Sequence, residues 1–293
     1  MQTITRYFQV AEHCFAISAT PEQFSLLPNY EPFLVDESAQ TCMFITRVHT
    51  DERPSLESWQ HVFTDSSDAD MPRIEMYKKG EEWFFLLSMY RDSEIVCALR
   101  CSADWHETDV YIFSDCARFA IDNAVMLVYA FCTTAHDTLL FHASVIKRQD
   151  KAFLFLGHSG TGKSTHSQQW LAAFDDAELI NDDNPVVRIM PDGIVRVFGS
   201  PWSGKTPCYR AMQAPVGAFV QIIQAPFNCI QPLKMTQAYP HILSSVSGLK
   251  MLPAMMDKIY ESIVKILEKC AVYQLECLPN TDAARVCAQR CLP

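Results

Sequence analysis

The residues best suited to chemistry lie in one short stretch, GHSGTGKST, which runs from Gly157 to Thr165 directly after the apolar run AFLFL. Glycines at these spacings let successive backbone N–H groups surround phosphate oxygens, and a helix that begins behind them adds its partial positive charge. Lys163 would reach the β- and γ-phosphates, and Ser164 would coordinate Mg²⁺. The predicted phosphate-binding residues are Gly157, His158, Ser159, Gly160, Thr161, Gly162, Lys163, Ser164 and Thr165.

A second stretch, GSPWSGKT from Gly199 to Thr206, fits the same spacing pattern. It carries a proline and a tryptophan inside the loop, and Pro207 follows its last residue. The residues behind it, TPCYRAMQAPVG, show no helical stripe. We therefore predict that the first match is the phosphate loop and that the second is a rigid loop that shapes the site.

Two adjacent carboxylates, Asp182 and Asp183, follow the phosphate loop by one helix and one short strand. A carboxylate at the end of the strand beside such a loop is where Mg²⁺ coordination is completed. A second carboxylate there could take a proton from an attacking hydroxyl. The alternative is that NDDNP is only a turn, because Asn, Asp and Pro all favour turns. The position behind the loop and its helix favours the chemical interpretation.

His142 belongs to the run LLFHASVIK, which we interpret as one strand that precedes the phosphate-loop strand KAFLFLG. A hairpin of the two would carry the end of the first strand away from the loop and bring His142 toward it. The side chain could then contact phosphate or relay a proton. The alternative is a purely structural histidine.

Taken together, HASVI, GHSGTGKST and INDDNPV resemble the C-terminal domain of HPr kinase/phosphorylase and related proteins. That group shares its nucleotide-binding core with the ATP-type phosphoenolpyruvate carboxykinases. The similarity extends from about residue 142 to the C-terminus, where VYQLECLPNTDAA resembles the closing strand and helix. It does not include the N-terminal half.

The resemblance implies a Mg²⁺- and ATP-dependent kinase that acts on a hydroxyl, commonly a protein serine. Lys163 matches the lysine on the phosphates, Asp182 and Asp183 match the Asp pair that supplies the base and a metal ligand, and His142 matches the histidine near the site. The resemblance leaves open which aspartate takes which role, and we expect Ser164 and Asp182 as metal ligands.

The chain departs from that family at its metal-supporting glutamate, for which it carries FGSPWSGK, without a carboxylate. The metal site would therefore lack one ligand or take it from elsewhere. Within and after this loop, Trp202, Lys205 and Arg210 are candidates to contact the substrate, and the two cations could help to neutralise charge. These differences make HPr a doubtful substrate, and we carry over neither a phosphorylase activity nor a hexameric assembly.

Two classes of function fit these residues. The first is a kinase that transfers the γ-phosphoryl group of ATP to a serine-type hydroxyl on a protein or a small molecule. The second is a nucleotide-binding regulatory or assembly protein that uses ATP occupancy without phosphoryl transfer. A base beside the metal carboxylate is needed only by the first, so the Asp pair favours the kinase.

The elements that must position these residues indicate an α/β protein of mixed α+β type. Short strand patterns separated by turn signals predict a β-rich N-terminal domain over 1–114. A helical stripe over 115–135 predicts a linking helix, which opens a P-loop kinase-like domain over 115–293. In that domain we expect a helix over 164–174, a hairpin around the PDG turn and a final helix from Thr281.

Composition limits the partners. The net charge of −10 argues against nucleic acid and anionic membranes as partners. The start of the chain lacks the pattern of a secretory signal, and no apolar run is long enough to span a membrane, so we expect a cytoplasmic protein. The 12 cysteines include no CxxC pair and are interpreted as buried thiols. Association of identical subunits is left open.

Overall fold

A computed structural model describes residues 2–36, 41–50, 52–65, 72–204, 206–248 and 252–292 of the chain. Within these ranges the protein is a strand-rich mixed α/β structure with two mixed sheets and several helices. It divides into two compact units, Met1–Cys132 and Thr133–Pro293. No helix in the described ranges is long and apolar enough to cross a membrane.

The first unit contains a nine-stranded sheet in the order β3-β1-β2-β4-β9-β8-β7-β6-β5. Neighbouring strands are antiparallel except for β2–β4 and β4–β9, which are parallel. No sequence pattern predicts β3 or β5, because the first has two residues and the second is largely exposed. The other seven strands are predicted by the patterns TRYFQV, HCFAIS, TCMFITRV, RIEMYK, EWFFLLSMY, EIVCALRC and DVYIF. The strands are β1 (Ile4–Val10), β2 (His13–Ala19), β3 (Leu34–Val35), β4 (Ile45–His49), β5 (Gln60–Asp65), β6 (Ile74–Lys79), β7 (Glu82–Ser88), β8 (Ile95–Cys101) and β9 (Glu107–Ile112).

Among the described residues, two α-helices complete this unit, α1 (Pro21–Ser25) and α2 (Ala117–Thr133). The second is the helix that the sequence predicts over 115–135. It packs on the sheet of the first unit: Tyr129 donates a hydrogen bond to the carbonyl of Val10, and the ring of Phe131 lies 5.9 Å from that of Phe85. The division into units falls at the end of this helix, which the sequence predicts as the link that opens the second domain.

The second unit is built around β16, whose first residues pair with β15 and whose later residues pair with β12 and β18. No sequence pattern predicts the short β17, which is largely exposed. The other strands are predicted by the patterns LLFHASVIK, KAFLFLG, AELIN, NPVVRIM, IVRVFG, APVGAFVQIIQ and AVYQLECLP. The strands are β10 (Thr138–Leu140), β11 (Ala143–Arg148), β12 (Lys151–Leu156), β13 (Ala177–Asp183), β14 (Val186–Ile189), β15 (Val195–Phe198), β16 (Gln213–Gln224), β17 (Cys229–Pro232) and β18 (Ala271–Cys277).

Helices cover both faces of this sheet. Side chains of β12 alternate between the faces, so that Leu154 joins one core cluster while Phe153 and Phe155 join the other. Burial on both faces explains why AFLFL reads as a continuous apolar run. On the first face lie α4 (Met235–Ser245) and α5 (Pro253–Lys269), and on the second lie α3 (Lys163–Ala173) and α6 (Thr281–Cys291).

The run LLFHASVIK is two strands, not the single strand that the sequence predicts. Its first part, β10, pairs with β14, whereas its second part, β11, pairs with β12 and β13. Phe141 and His142 lie at the break, where their backbone N–H groups bond to the carbonyls of Pro185 and Ser245. The single-strand prediction is wrong because the run passes from one set of neighbouring strands to another. The antiparallel pairing of β11 with β12 is confirmed.

The packing of the second unit predicts a large cost for truncating its central aromatic. Phe219 is fully buried, with its ring 5.6 Å from that of Phe141. We expect Phe219→Ala to lower the free energy of unfolding of this unit by about 3–5 kcal/mol, because it leaves a cavity. Phe227, which is 52% exposed just after the same strand, is the matched control, and Phe227→Ala should change it by less than about 0.5 kcal/mol. Urea unfolding measures both, and equal losses would contradict this account of the core.

Candidate active site

The loop from Gly157 to Gly162 connects the end of β12 to the start of α3. Gly157 has φ 148°, and a Cβ at this position would lie 2.5 Å from the Thr161 hydroxyl, so a side chain is excluded. Gly162 has φ 100° and precedes the first residue of α3, and no described side chain caps that helix. The first N–H groups of α3 therefore remain available to an anion, and both Ser164 and Thr165 are exposed beside them.

Lys163 folds back onto this loop and is buried. Its ammonium group donates to the carbonyl of Gly157 at 2.9 Å, to the carbonyl of His158 at 3.3 Å and to Nε2 of His142 at 2.9 Å. Burial lowers the pKa of Lys163, and the charges of Asp183 and Asp182 oppose that shift. The cation is thus held near two carboxylates by neutral acceptors that a phosphate could replace.

His142 connects the lysine to the acidic pair. Because Lys163 donates to Nε2, a neutral ring carries its proton on Nδ1, which lies 2.9 Å from Oδ1 of Asp183. About a third of each of these two side chains, His142 and Asp183, is exposed to solvent. A continuous polar chain therefore runs from the loop lysine through the histidine to a carboxylate that a substrate can reach.

The two aspartates lie at the end of β13 and differ in environment. Asp182 is 4% exposed, and no described residue hydrogen-bonds its carboxylate. Asp183 accepts from His142 and also from Nδ2 of Asn184, at 2.8 Å. The backbone φ angle of Asp183 is 153°, a value that residues other than glycine rarely adopt. Strain of this kind persists only where the surroundings impose it, and it is often found at functional positions.

The loop that begins at Gly199 packs over the acidic pair. The side-chain amide of Asn181 donates to the carbonyls of Ser200 and Trp202 and to the Ser200 hydroxyl. The N–H of Gly204 donates to the carbonyl of Asp182 at 2.7 Å. No helix follows Thr206, because the chain runs through an irregular stretch directly into β16. The second glycine pattern therefore precedes no helix, as its prolines predict, and its loop packs against Asn181 and Asp182.

Of the candidate substrate residues, the two that the structure describes, Trp202 and Arg210, do not converge. Trp202 is buried, so its ring supports the loop. Arg210 lies 3.9 Å from Glu178, near the opposite end of β13 from the acidic pair. Lys205 lies outside the described residues. The structure thus brings together Lys163, His142 and Asp183, but it does not bring Arg210 to them.

Three further residues shape the site without having been singled out from the sequence. Asn181 anchors the covering loop, and Gln224 donates from Nε2 to the carbonyl of Gly160 at 3.1 Å. His166 is buried in α3 and accepts a hydrogen bond from the Trp170 indole. Asn181 could have been found as the neighbour of the acidic pair. Gln224 and His166 carry no local signal, since distant strands and an internal helix face bring them to the loop.

A magnesium ion is compatible with these side chains if phosphates and water supply most of its ligands. The described residues contain no group of three or more His, Cys, Asp or Glu side chains placed to hold a metal by themselves. Mg²⁺ commonly binds through one or two carboxylates together with substrate phosphates. The carboxylate of Asp182, buried and without a described hydrogen-bond donor, suits such a role. The Ser164 hydroxyl is the other candidate oxygen ligand.

Comparison of the sequence with known protein families gives no match, and a search of curated proteins also finds no significant match.

The packing of the covering loop leads to a prediction about Gly199. A Cβ there would overlap the backbone carbonyl of Arg210 and lie 3.2 Å from that of Ile180. Both obstacles are backbone atoms, so the loop itself must shift. We expect Gly199→Ala to lower the free energy of unfolding by about 1–3 kcal/mol. Ala211→Ser, at an exposed position of the same segment, is the control and should be nearly neutral in urea unfolding. If Gly199→Ala leaves the free energy of unfolding unchanged, the loop does not pack closely against the carbonyls of Arg210 and Ile180.

The buried histidine of α3 predicts a loss of stability in acid. Burial lowers the pKa of His166 from its ordinary 6.5 to about 4, so the folded protein keeps the ring neutral while the unfolded chain takes up a proton below pH 6.5. As the pH falls from 6.5 to 4, the wild type should lose roughly 3 kcal/mol of unfolding free energy relative to His166→Phe. Urea unfolding at several pH values measures this difference. A difference that stays constant with pH would contradict the assignment.

Proposed function

We propose that this protein is a Mg²⁺- and ATP-dependent kinase that transfers the γ-phosphoryl group to a serine-type hydroxyl on a protein or a small molecule. In this proposal the second unit is the catalytic, P-loop kinase-like domain, and the first is an accompanying β-rich domain. The observation that carries the proposal is the polar chain from Lys163 through His142 to Asp183, with both links at 2.9 Å. This chain joins an ammonium group that can bind phosphate to a carboxylate that can accept a proton.

Nucleotide binding would begin at the loop between β12 and α3. The β- and γ-phosphates would accept hydrogen bonds from the loop N–H groups and from the uncapped start of α3. Lys163 would exchange the carbonyls of Gly157 and His158 for phosphate oxygens. That exchange is favourable because a charged acceptor bonds an ammonium group more strongly than a neutral carbonyl does.

Asp183 is the better candidate for the base, because it is partly exposed while Asp182 is buried. Its carboxylate would take the proton of the acceptor hydroxyl as the hydroxyl oxygen forms its bond to the γ-phosphorus and the bond to the β-phosphate oxygen breaks, which releases ADP. The hydrogen bonds from His142 and Asn184 would hold this carboxylate in place, and each of its oxygens keeps a second lone pair for the proton.

Asp182 and Ser164 would hold the magnesium ion that accompanies ATP. When bound, the ion supplies charge neutralisation for the phosphates. The backbone of Asp182 is fixed by the N–H of Gly204 and by the Ser203 hydroxyl, at 2.7 and 3.2 Å to its carbonyl. The covering loop would therefore fix the position of a metal ligand as well as that of the neighbouring base.

The decisive experiment separates transfer from binding. Purified protein is incubated with Mg²⁺ and γ-labelled ATP, alone and with extract of the source cell, and the label is followed into protein and small-molecule fractions. Asp183→Asn should reduce transfer about 10²- to 10⁴-fold, the contribution of a general base, while the Kd for ATP stays within about tenfold. Lys163→Ala should abolish transfer. Asp175→Asn, on an exposed loop after α3, is the matched control and should behave as the wild type.

Three outcomes would count against parts of this proposal. Full transfer by Asp183→Asn would remove its role as the base. ATP binding without any transferred label would instead favour the nucleotide-binding regulatory or assembly protein. A wild type that binds no ATP would exclude both functions.

A further inference from the structure

A cavity of about 290 Å³ lies beside the phosphate loop, between the start of α3 and the ends of β16 and β18. One side of it is formed by the loop residues Gly160, Thr161 and Gly162. The remaining wall is largely apolar and consists of Ile222, Ala225, Cys277, Leu278 and Pro279, with Thr165, His166 and Gln224 as polar members. None of the described residues that line it is Asp, Glu, Lys or Arg.

His166 supplies the specific feature of this cavity. The residue is only 3% exposed, and its Nε2 accepts a hydrogen bond from the Trp170 indole at 3.0 Å. A neutral ring bonded in this way carries its proton on Nδ1. No described residue accepts a hydrogen bond from that N–H. His166 lines the cavity, so a ligand there that offers an acceptor would gain a hydrogen bond from this N–H.

The position of Gln224 links the cavity to the loop. Its amide donates to the carbonyls of Gly160 and Thr161, at 3.1 and 3.5 Å, so one wall residue of the cavity holds the phosphate loop directly. The opposite wall is held as well, because Asn228 accepts from the N–H of Leu278 and bonds to Asn280. The cavity is therefore supported on both sides and opens next to the place where phosphates would bind.

We infer that this cavity binds the purine base of the nucleotide, with the Nδ1–H group of His166 donating to a ring nitrogen of the base. The inference rests on the proposed function, since it places the base of the same ATP whose phosphates would lie on the loop. A cavity without charged side chains suits a neutral heterocycle and not another phosphate. The apolar wall of Ile222, Ala225 and Leu278 suits the flat faces of the base. A purine covers more of that wall than a pyrimidine does.

Binding measurements with two kinds of probe test the inference. Isothermal titration gives the Kd of ATP, GTP, CTP and inorganic tripolyphosphate, each with Mg²⁺. Wild-type protein should bind ATP at least tenfold more tightly than tripolyphosphate and more tightly than CTP. Ala225→Phe, which fills the cavity from a partly exposed loop position, should remove that advantage while the Kd of tripolyphosphate changes by less than twofold.

Two further variants define the role of the cavity. His166→Phe keeps the ring but removes the donor, and it should weaken ATP about 5- to 20-fold with little effect on tripolyphosphate. Ile223→Phe adds the same aromatic group at an exposed neighbour that does not line the cavity, and it should leave both affinities unchanged. Thermal unfolding of each variant establishes that the chain remains folded.

The possible failures are distinguishable. If tripolyphosphate binds and ATP binds no more tightly, the assignment of the cavity as the base site is wrong, while the assignment of the loop as the phosphate site remains supported. If Ala225→Phe still binds ATP at least tenfold more tightly than tripolyphosphate, the base binds outside this cavity. If neither ATP nor tripolyphosphate binds, the proposed function fails and this inference fails with it.

Discussion

The site depends on the register of β11 between its two neighbours. Ser144 pairs with Phe155 of β12 on one side and with Asp182 of β13 on the other, and both pairings are antiparallel. The start of β11 therefore lies beside the end of β12, where the phosphate loop begins, and beside the end of β13, where the acidic pair lies. A shift of one residue in either ladder would turn every side chain to the opposite face and separate these groups. His142, which directly precedes β11, occupies the point where both ladders end.

The charged groups beside the loop, Lys163 and the two aspartates, are held near one another by the protein alone. A buried ammonium group is costly without compensation, and Lys163 is compensated by three acceptors and two nearby carboxylates. One of those carboxylates, on Asp182, is itself buried without a described hydrogen-bond donor. The arrangement therefore holds a cation near two carboxylates, and two of the three acceptors of that cation are neutral carbonyls that a phosphate could replace. That is the property a site for a metal-bound polyphosphate requires.

The covering loop adds rigidity that the sheet edge alone would lack. At the edge strand β13, the segment from Gly199 onward bonds to the amide of Asn181 and to the carbonyl of Asp182. Contact this close requires the absence of a side chain at Gly199 and a small residue at Gly204, where a Cβ would lie 3.1 Å from the Asp182 carbonyl. The unusual backbone of Asp183 lies within this packing, in an isolated β-bridge with Ser203.

Much of this protein follows from its sequence by itself. The apolar run AFLFL, the glycine spacing of the loop and the period of the helices are local signals, and they correctly indicate β12, α3 and most other elements. They also indicate that the second glycine pattern, with its prolines, is followed by no helix. The contacts between segments that lie far apart in the chain were decided only by the tertiary structure. These are the break of the first strand at His142, the contact of that residue with Lys163 and Asp183, the burial of Trp202, and the delivery of Gln224 and His166 to a cavity beside the loop. Such relations depend on which strands become neighbours, and the side chains that decide this lie far apart in the chain, beyond the reach of any local pattern.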